Sequence, residues 1–168
     1  MLKQTKSALL VVIGLSLVPI GSGVAQTSSP NSLQGVWKVT EVTTTGPTAS
    51  KQAAPQPGLY IFTGKHYSMV TVNSDKPRPD LPQDAATATL EQVRAAWDPF
   101  TAQSGTYEVK GSEVTFHPLV AKNPAVMKAG SFSTSSFQIE GSTLTLVNKA
   151  SQTGPAANPT TRKLTRVE

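Results

Sequence analysis

Gly35-Val36-Trp37-Lys38-Val39-Thr40-Glu41-Val42-Thr43-Thr44 is the stretch on which the reading of this chain turns. β-Branched and aromatic residues dominate it, and alternation puts Trp37, Val39 and Glu41 on one face and Val36, Lys38, Thr40 and Val42 on the other. Gly35 shares the face of Trp37, so the indole enters whatever this strand encloses, beside a residue that leaves room for it. The run predicts a first strand over 33–44 that closes the floor of a small β-barrel.

Working outward, 59–63 and 66–72 read as strands two and three, joined at Gly64-Lys65, where a leading glycine suits a type II′ turn. Two further hairpins are punctuated alike: 106–109 with 112–118 around Lys110-Gly111, and 132–139 with 143–147 around Glu140-Gly141. A last strand spans 159–168. The stretches 46–57 and 149–159 read as loops, and 120–130 as a loop or single helical turn. Pro77, Pro79 and Pro82 keep 74–84 extended. Thr89 followed by Gln92 forms a capping-box pattern, and Leu90, Val93, Trp97 and Phe100 recur at helical spacing, so one short helix lies between strands three and four, ending near Asp98 at Pro99. Three tight hairpins in an eight-strand chain imply antiparallel neighbours in sequence order. The predicted fold is all-β, an eight-stranded antiparallel up-and-down barrel, with room for packed side chains or one small ligand.

Residues 1–25 read as a cleavable secretory signal peptide. Lys3 and Lys6 supply the positive start, 8–18 the apolar run, and Gly23-Val24-Ala25 the small-residue exit, with cleavage after Ala25. The apolar run is shorter than the roughly 20 residues a bilayer span needs, so no stable membrane anchor is expected. The expected location is secreted or periplasmic, with 26–168 forming a single domain. The formal charge of +5 drops by two when Lys3 and Lys6 leave, and the other basic residues are scattered, which removes the case for nucleic acid. The one local cluster, Arg162, Lys163 and Arg166, lies on an alternating strand and reads as a solvated surface. There is no cysteine, so packing alone must hold the fold, and no asparagine opens an allowed glycosylation sequon.

At Gly35-Val36-Trp37 the chain resembles the first-strand motif of the lipocalins, whose tryptophan closes the barrel floor under an arginine from the final strand. Arg162, Leu164 and Arg166 share a face, so an inward Leu164 makes Arg166 the candidate to stack on Trp37; the alternative is a terminal surface charge. More closely, the chain is similar to bacterial lipocalin-like domain proteins of calycin type. Gly35-Val36-Trp37-Lys38, Pro57-Gly58, Gly64-Lys65-His66-Tyr67-Ser68, Lys76-Pro77-Arg78-Pro79, Gly105-Thr106-Tyr107 and 141–146 follow that group's order. The Thr-Asp-Tyr-like second lipocalin signature is missing, and the helix lies earlier than in classical lipocalins. The resemblance therefore implies a calyx shape and a binding role, with no particular ligand.

The expected function is binding of a small apolar or amphipathic molecule inside the barrel. Tyr60, Tyr67, Met69, Tyr107 and Phe116 offer the pocket surface, with Phe62 and Phe137 beside them. Strands two and three are apolar on both faces, so parity does not decide between Tyr60 with Phe62 and Leu59 with Ile61. Phe132 and Phe137 differ in parity, which implies a bulge or an outward ring. Glu41, on the Trp37 face, would orient a polar ligand group, unless twist carries it to the rim. His66 and His117 are the only histidines, and His117 is the one that could face a pocket. No spacing suits a metal or cofactor, and no nucleophile elbow occurs. Two other readings stay open: a solid barrel serving as a structural or protein-interaction module of the cell envelope, and a barrel enzyme of isomerase or hydrolase type using Glu41, His117 or Tyr107. Trp97 and Phe100 would either plug one end of the barrel or cover its wall.

Overall fold

A computed structural model describes residues 30–168; the proposed signal peptide and its cleavage point lie outside them. A short 3-10 turn over Pro30–Leu33 leads into ten strands: β1 (Gly35–Thr44), β2 (Ser50–Gln52), β3 (Gly58–Phe62), β4 (His66–Val72), β5 (Phe100–Lys110), β6 (Glu113–Ala121), β7 (Ser133–Glu140), β8 (Thr143–Ser151), β9 (Gly154–Pro155) and β10 (Thr160–Arg166). The one α-helix among the described residues, α1 (Leu90–Trp97), lies between β4 and β5. Eight of the strands pair antiparallel in chain order, β1-β3-β4-β5-β6-β7-β8-β10, and β10 pairs with both β8 and β1. That double pairing closes the sheet into an up-and-down barrel with no free long edge. The closed shape is consistent with a calycin-like fold.

Local chemistry sets most of the element ends. Gly111 and Gly141 take φ of +61° and +58°, while Ser112 and Ser142 after them stay negative, the type II′ pattern of a two-residue hairpin. The Gly64 turn departs from the expected type. Gly64 does not take a positive φ; instead the Thr63 hydroxyl accepts the His66 N–H at 3.1 Å, and Thr63 N–H donates to the His66 carbonyl at 2.8 Å. Two expected loops also carry structure. β2 pairs with the end of β1, and β8 runs on to Ser151 before pairing with β9. Phe132 precedes β7, so its parity is free of the strand.

Thr89 caps α1 as its sequence predicts: its hydroxyl accepts the Gln92 N–H at 3.2 Å, and Gln92 Oε1 accepts the Thr89 N–H at 2.9 Å. The other end is tied down by cations. Lys122 Nζ donates to the carbonyls of Trp97 and Phe100 and lies 5.0 Å from the Trp97 ring centre. Arg78 sits 4.7 Å over the Phe100 ring and donates to the Ala96 carbonyl at 3.3 Å. Trp97 is 52% exposed and Phe100 pairs on the outward side of β5, so the helix braces the rim and does not plug the barrel.

One core fills the closed end. Leu33, Trp37, Val114, Leu144 and Leu164 are fully buried, joined by Phe62, Tyr107, Phe116 and Phe137. Pairing settles what parity alone leaves open: Tyr60 stands opposite inward Trp37, so Tyr60 and Phe62 point in, while Leu59 and Ile61 are 44% and 41% exposed.

Candidate binding lumen

The floor is built first. Trp37 donates its indole N–H to the Leu33 carbonyl at 2.8 Å, fixing the ring beneath the 3-10 turn. Arg166, its register partner on β10, lays its guanidinium 4.0 Å from the indole centre and donates to the carbonyls of Ser32 and Gln34. Gly35 sits under this contact at φ +128°, where a Cβ would fall 2.4 Å from the Glu168 carbonyl oxygen and 2.5 Å from Arg166 Nη1. The arginine is a floor clamp, and the reading of it as a terminal surface charge is set aside.

Above the floor, aromatic rings interlock. Tyr67 meets Phe116 edge-on at 4.8 Å and Phe62 meets Tyr107 edge-on at 5.3 Å. The Tyr107 hydroxyl donates to the Thr63 carbonyl at 2.6 Å, and burial raises its pKa. The Tyr67 hydroxyl is different. It is buried and finds no hydrogen-bond partner among the described residues. Burial pushes its pKa up strongly, with nearby Tyr60 adding to the shift and Gln103 opposing it without satisfying the oxygen. An orphaned hydroxyl in a buried position costs about 1–3 kcal/mol unless water or a ligand meets it.

Toward the open end the lining changes character. Pairing with inward neighbours places Thr71, Thr101, Gln103, Ser135, Asn148 and Arg162 on the lumen side. Met69 and Val42 supply apolar surface beside them and pack against the core. Trp37, Val114, Leu144 and Leu164 are fully buried, while Val42, Met69, Gln103, Asn148 and Arg162 toward one end, and Val109, Ile139 and Arg166 toward the other, stay partly accessible although they face inward. The middle of the barrel is therefore packed, and inward side chains at its ends are partly accessible. Thr101, Gln103 and Ala121 also border a cleft of about 510 Å³ at the rim, shared with Trp97, Phe100 and Lys122.

Two expected site residues do not face this space. Thr40 is an extra residue in β1, since Val39 pairs with Leu164 but Glu41 with Lys163. This bulge reverses the alternation, so Val42 turns inward and Glu41 turns out. There Glu41 bridges Lys163 at 3.2 Å and Lys51 at 3.5 Å, and these lysines hold its carboxyl below the usual range. His117 pairs with Thr106 between inward Phe116 and Pro118, which puts it on the outer face. Tyr60, Tyr67, Met69, Tyr107 and Phe116 all point into the barrel. Because β1 and β6 lie on opposite sides of the eight-strand ring, Glu41 and His117 cannot meet, and the proposed catalytic trio with Tyr107 does not assemble. Among the described residues no cluster of metal-ligating side chains occurs.

Sequence reading missed the polar lining. Arg162 was legible as a face-mate of Leu164, but its charge read as solvent-facing. Gln103 and Thr101 share the parity of Tyr107, a signal hidden by expecting β5 to begin late. Comparisons with protein-family models, with curated proteins and with solved structures return no match to this chain.

Proposed function

We propose that this barrel binds a small apolar or amphipathic molecule in the open half of its lumen, as a lipocalin-like protein. The observation that supports it is the row of inward side chains, Val42, Met69, Gln103, Asn148 and Arg162, that remain partly accessible above the buried rings of the core. A concave space with apolar walls and a few polar groups is the usual form of such a site. Ligand contact falls to Met69, Val42 and Gln103, above the buried rings of Tyr60 and Tyr67; Trp37, Phe62 and Tyr107 serve the packed floor. The proposal extends to place: removal of 1–25 during export would deliver the barrel outside the cytoplasm, and N-terminal sequencing of the exported protein should begin at Gln26.

Native mass spectrometry of the mature protein, purified without organic solvent, tests the binding reading. A co-purifying small molecule at one per chain supports it. A bare polypeptide mass together with a captured envelope protein supports the solid-barrel interaction module in its place.

A further inference from the structure

The final strand carries two inward arginines in very different circumstances. Arg166 is satisfied by an aromatic face and two carbonyls. Arg162 pairs across to Val42 on one side and to Leu146 on the other, two inward apolar positions, and has no ion pair, hydrogen bond or ring contact among the described residues. Its outward neighbour Lys163 takes the carboxylate of Glu41. The other carboxylates on barrel strands, Glu108, Glu113 and Glu140, also stand outside: each is exposed and adjoins an inward residue. Among the described residues, then, no inward strand position is acidic, and the lumen holds one uncompensated guanidinium. Arg162 is partly accessible, so solvent meets this charge, and an anion brought by a ligand can take the place of that solvent.

We propose that Arg162 is the anion-binding group of the lumen, and that the ligand is a small organic carboxylate with an apolar body. The inference rests on the binding reading given above and names its ligand class. A guanidinium presents a planar fork of N–H donors that matches the two oxygens of a carboxylate. The neutral polar groups at hand, Asn148 on neighbouring β8 and Gln103 on the opposite wall, can hydrogen-bond a head group without competing for its charge. Val42, Leu146 and Met69 offer apolar contact to the body.

The test is displacement of the neutral dye N-phenylnaphthylamine by octanoate and by octanol, in the mature protein and in Arg162→Gln, Arg162→Lys and Lys163→Gln. The expected result is octanoate binding about tenfold or more tighter than octanol in the parent, a gap that corresponds to about 1.4 kcal/mol. Arg162→Gln should remove that gap by weakening octanoate while leaving octanol unchanged. Arg162→Lys should keep part of it, and Lys163→Gln, on the outer face, all of it. Equal affinity for acid and alcohol in the parent, or a gap that survives Arg162→Gln, overturns the anion site while the binding reading stands. Absence of dye and alcohol binding in a folded parent overturns both.

Discussion

Arg166 lies 4.0 Å over the indole of Trp37, its direct partner across the β1–β10 pairing, and the same guanidinium holds the carbonyls of Ser32 and Gln34. One side chain thus joins the last strand to the first and the first strand to the turn that underlies it. Barrel closure and floor formation are the same event, because the pairing that seals the sheet also brings the cation onto the ring.

Arg166→Ala should therefore destabilise the fold by about 2–3 kcal/mol. The lost cation–π contact is worth about 0.5–2 kcal/mol, and hydrogen bonds from a charged donor add to it. Arg166→Lys should recover less than half, since an ammonium cannot reach two carbonyls in a fork. Urea unfolding midpoints of the three proteins check this; an unchanged midpoint in Arg166→Ala would count against the clamp.

Gly35→Ala should cost at least about 2 kcal/mol, because the backbone there has a positive φ and the new methyl meets a backbone carbonyl. Gly64→Ala is the control. Nothing lies within 4 Å of its Cβ position and its φ is ordinary, so its thermal midpoint should match the parent.

Tyr67→Phe and Tyr107→Phe remove the same atom with opposite consequences. At Tyr67 the hydroxyl is buried and unpaired, so its loss should leave stability unchanged or raise it by up to about 1 kcal/mol. At Tyr107 a 2.6 Å hydrogen bond is lost, at a cost of about 1 kcal/mol. Denaturant titration of the pair separates them.

The same two phenols set an alkaline limit. Both pKa values are raised in the folded state, Tyr67 most, so above the unfolded value near 10 the unfolded chain loses protons that the folded chain retains. Stability should be constant through neutral pH and fall as the pH climbs past about 10. Phenolate absorbance from Tyr67 and Tyr107 should appear together with unfolding and not ahead of it, which Tyr67→Phe and Tyr107→Phe variants can assign.

Much of this architecture is legible locally. The Gly111 and Gly141 hairpins, the Thr89–Gln92 cap and the parity of Trp37 with Val39 each depend on a few adjacent residues, and each is found in the structure. Glu41 shows where that legibility stops. Its sidedness depends on Thr40 being accommodated as a bulge against β10, more than a hundred residues away in sequence, where the Thr40 hydroxyl donates to the Lys163 carbonyl. Strand β3 is a second case: Leu59-Tyr60-Ile61-Phe62 is apolar on both sides, and only its pairing to Trp37 chooses Tyr60 and Phe62 for the core. Arg162 is a third. Parity placed it with Leu164, but an inward arginine becomes meaningful only when every nearby carboxylate is known to face outward.

The most direct test of the binding reading is titration of the mature protein with N-phenylnaphthylamine, comparing the parent with Met69→Trp, which fills the open half of the lumen. The prediction is a saturable, one-to-one fluorescence rise in the parent that Met69→Trp abolishes while its circular dichroism stays that of a folded barrel. A parent that gives no saturable signal, or a folded Met69→Trp protein that binds the dye as well as the parent, would contradict a hollow, ligand-holding lumen.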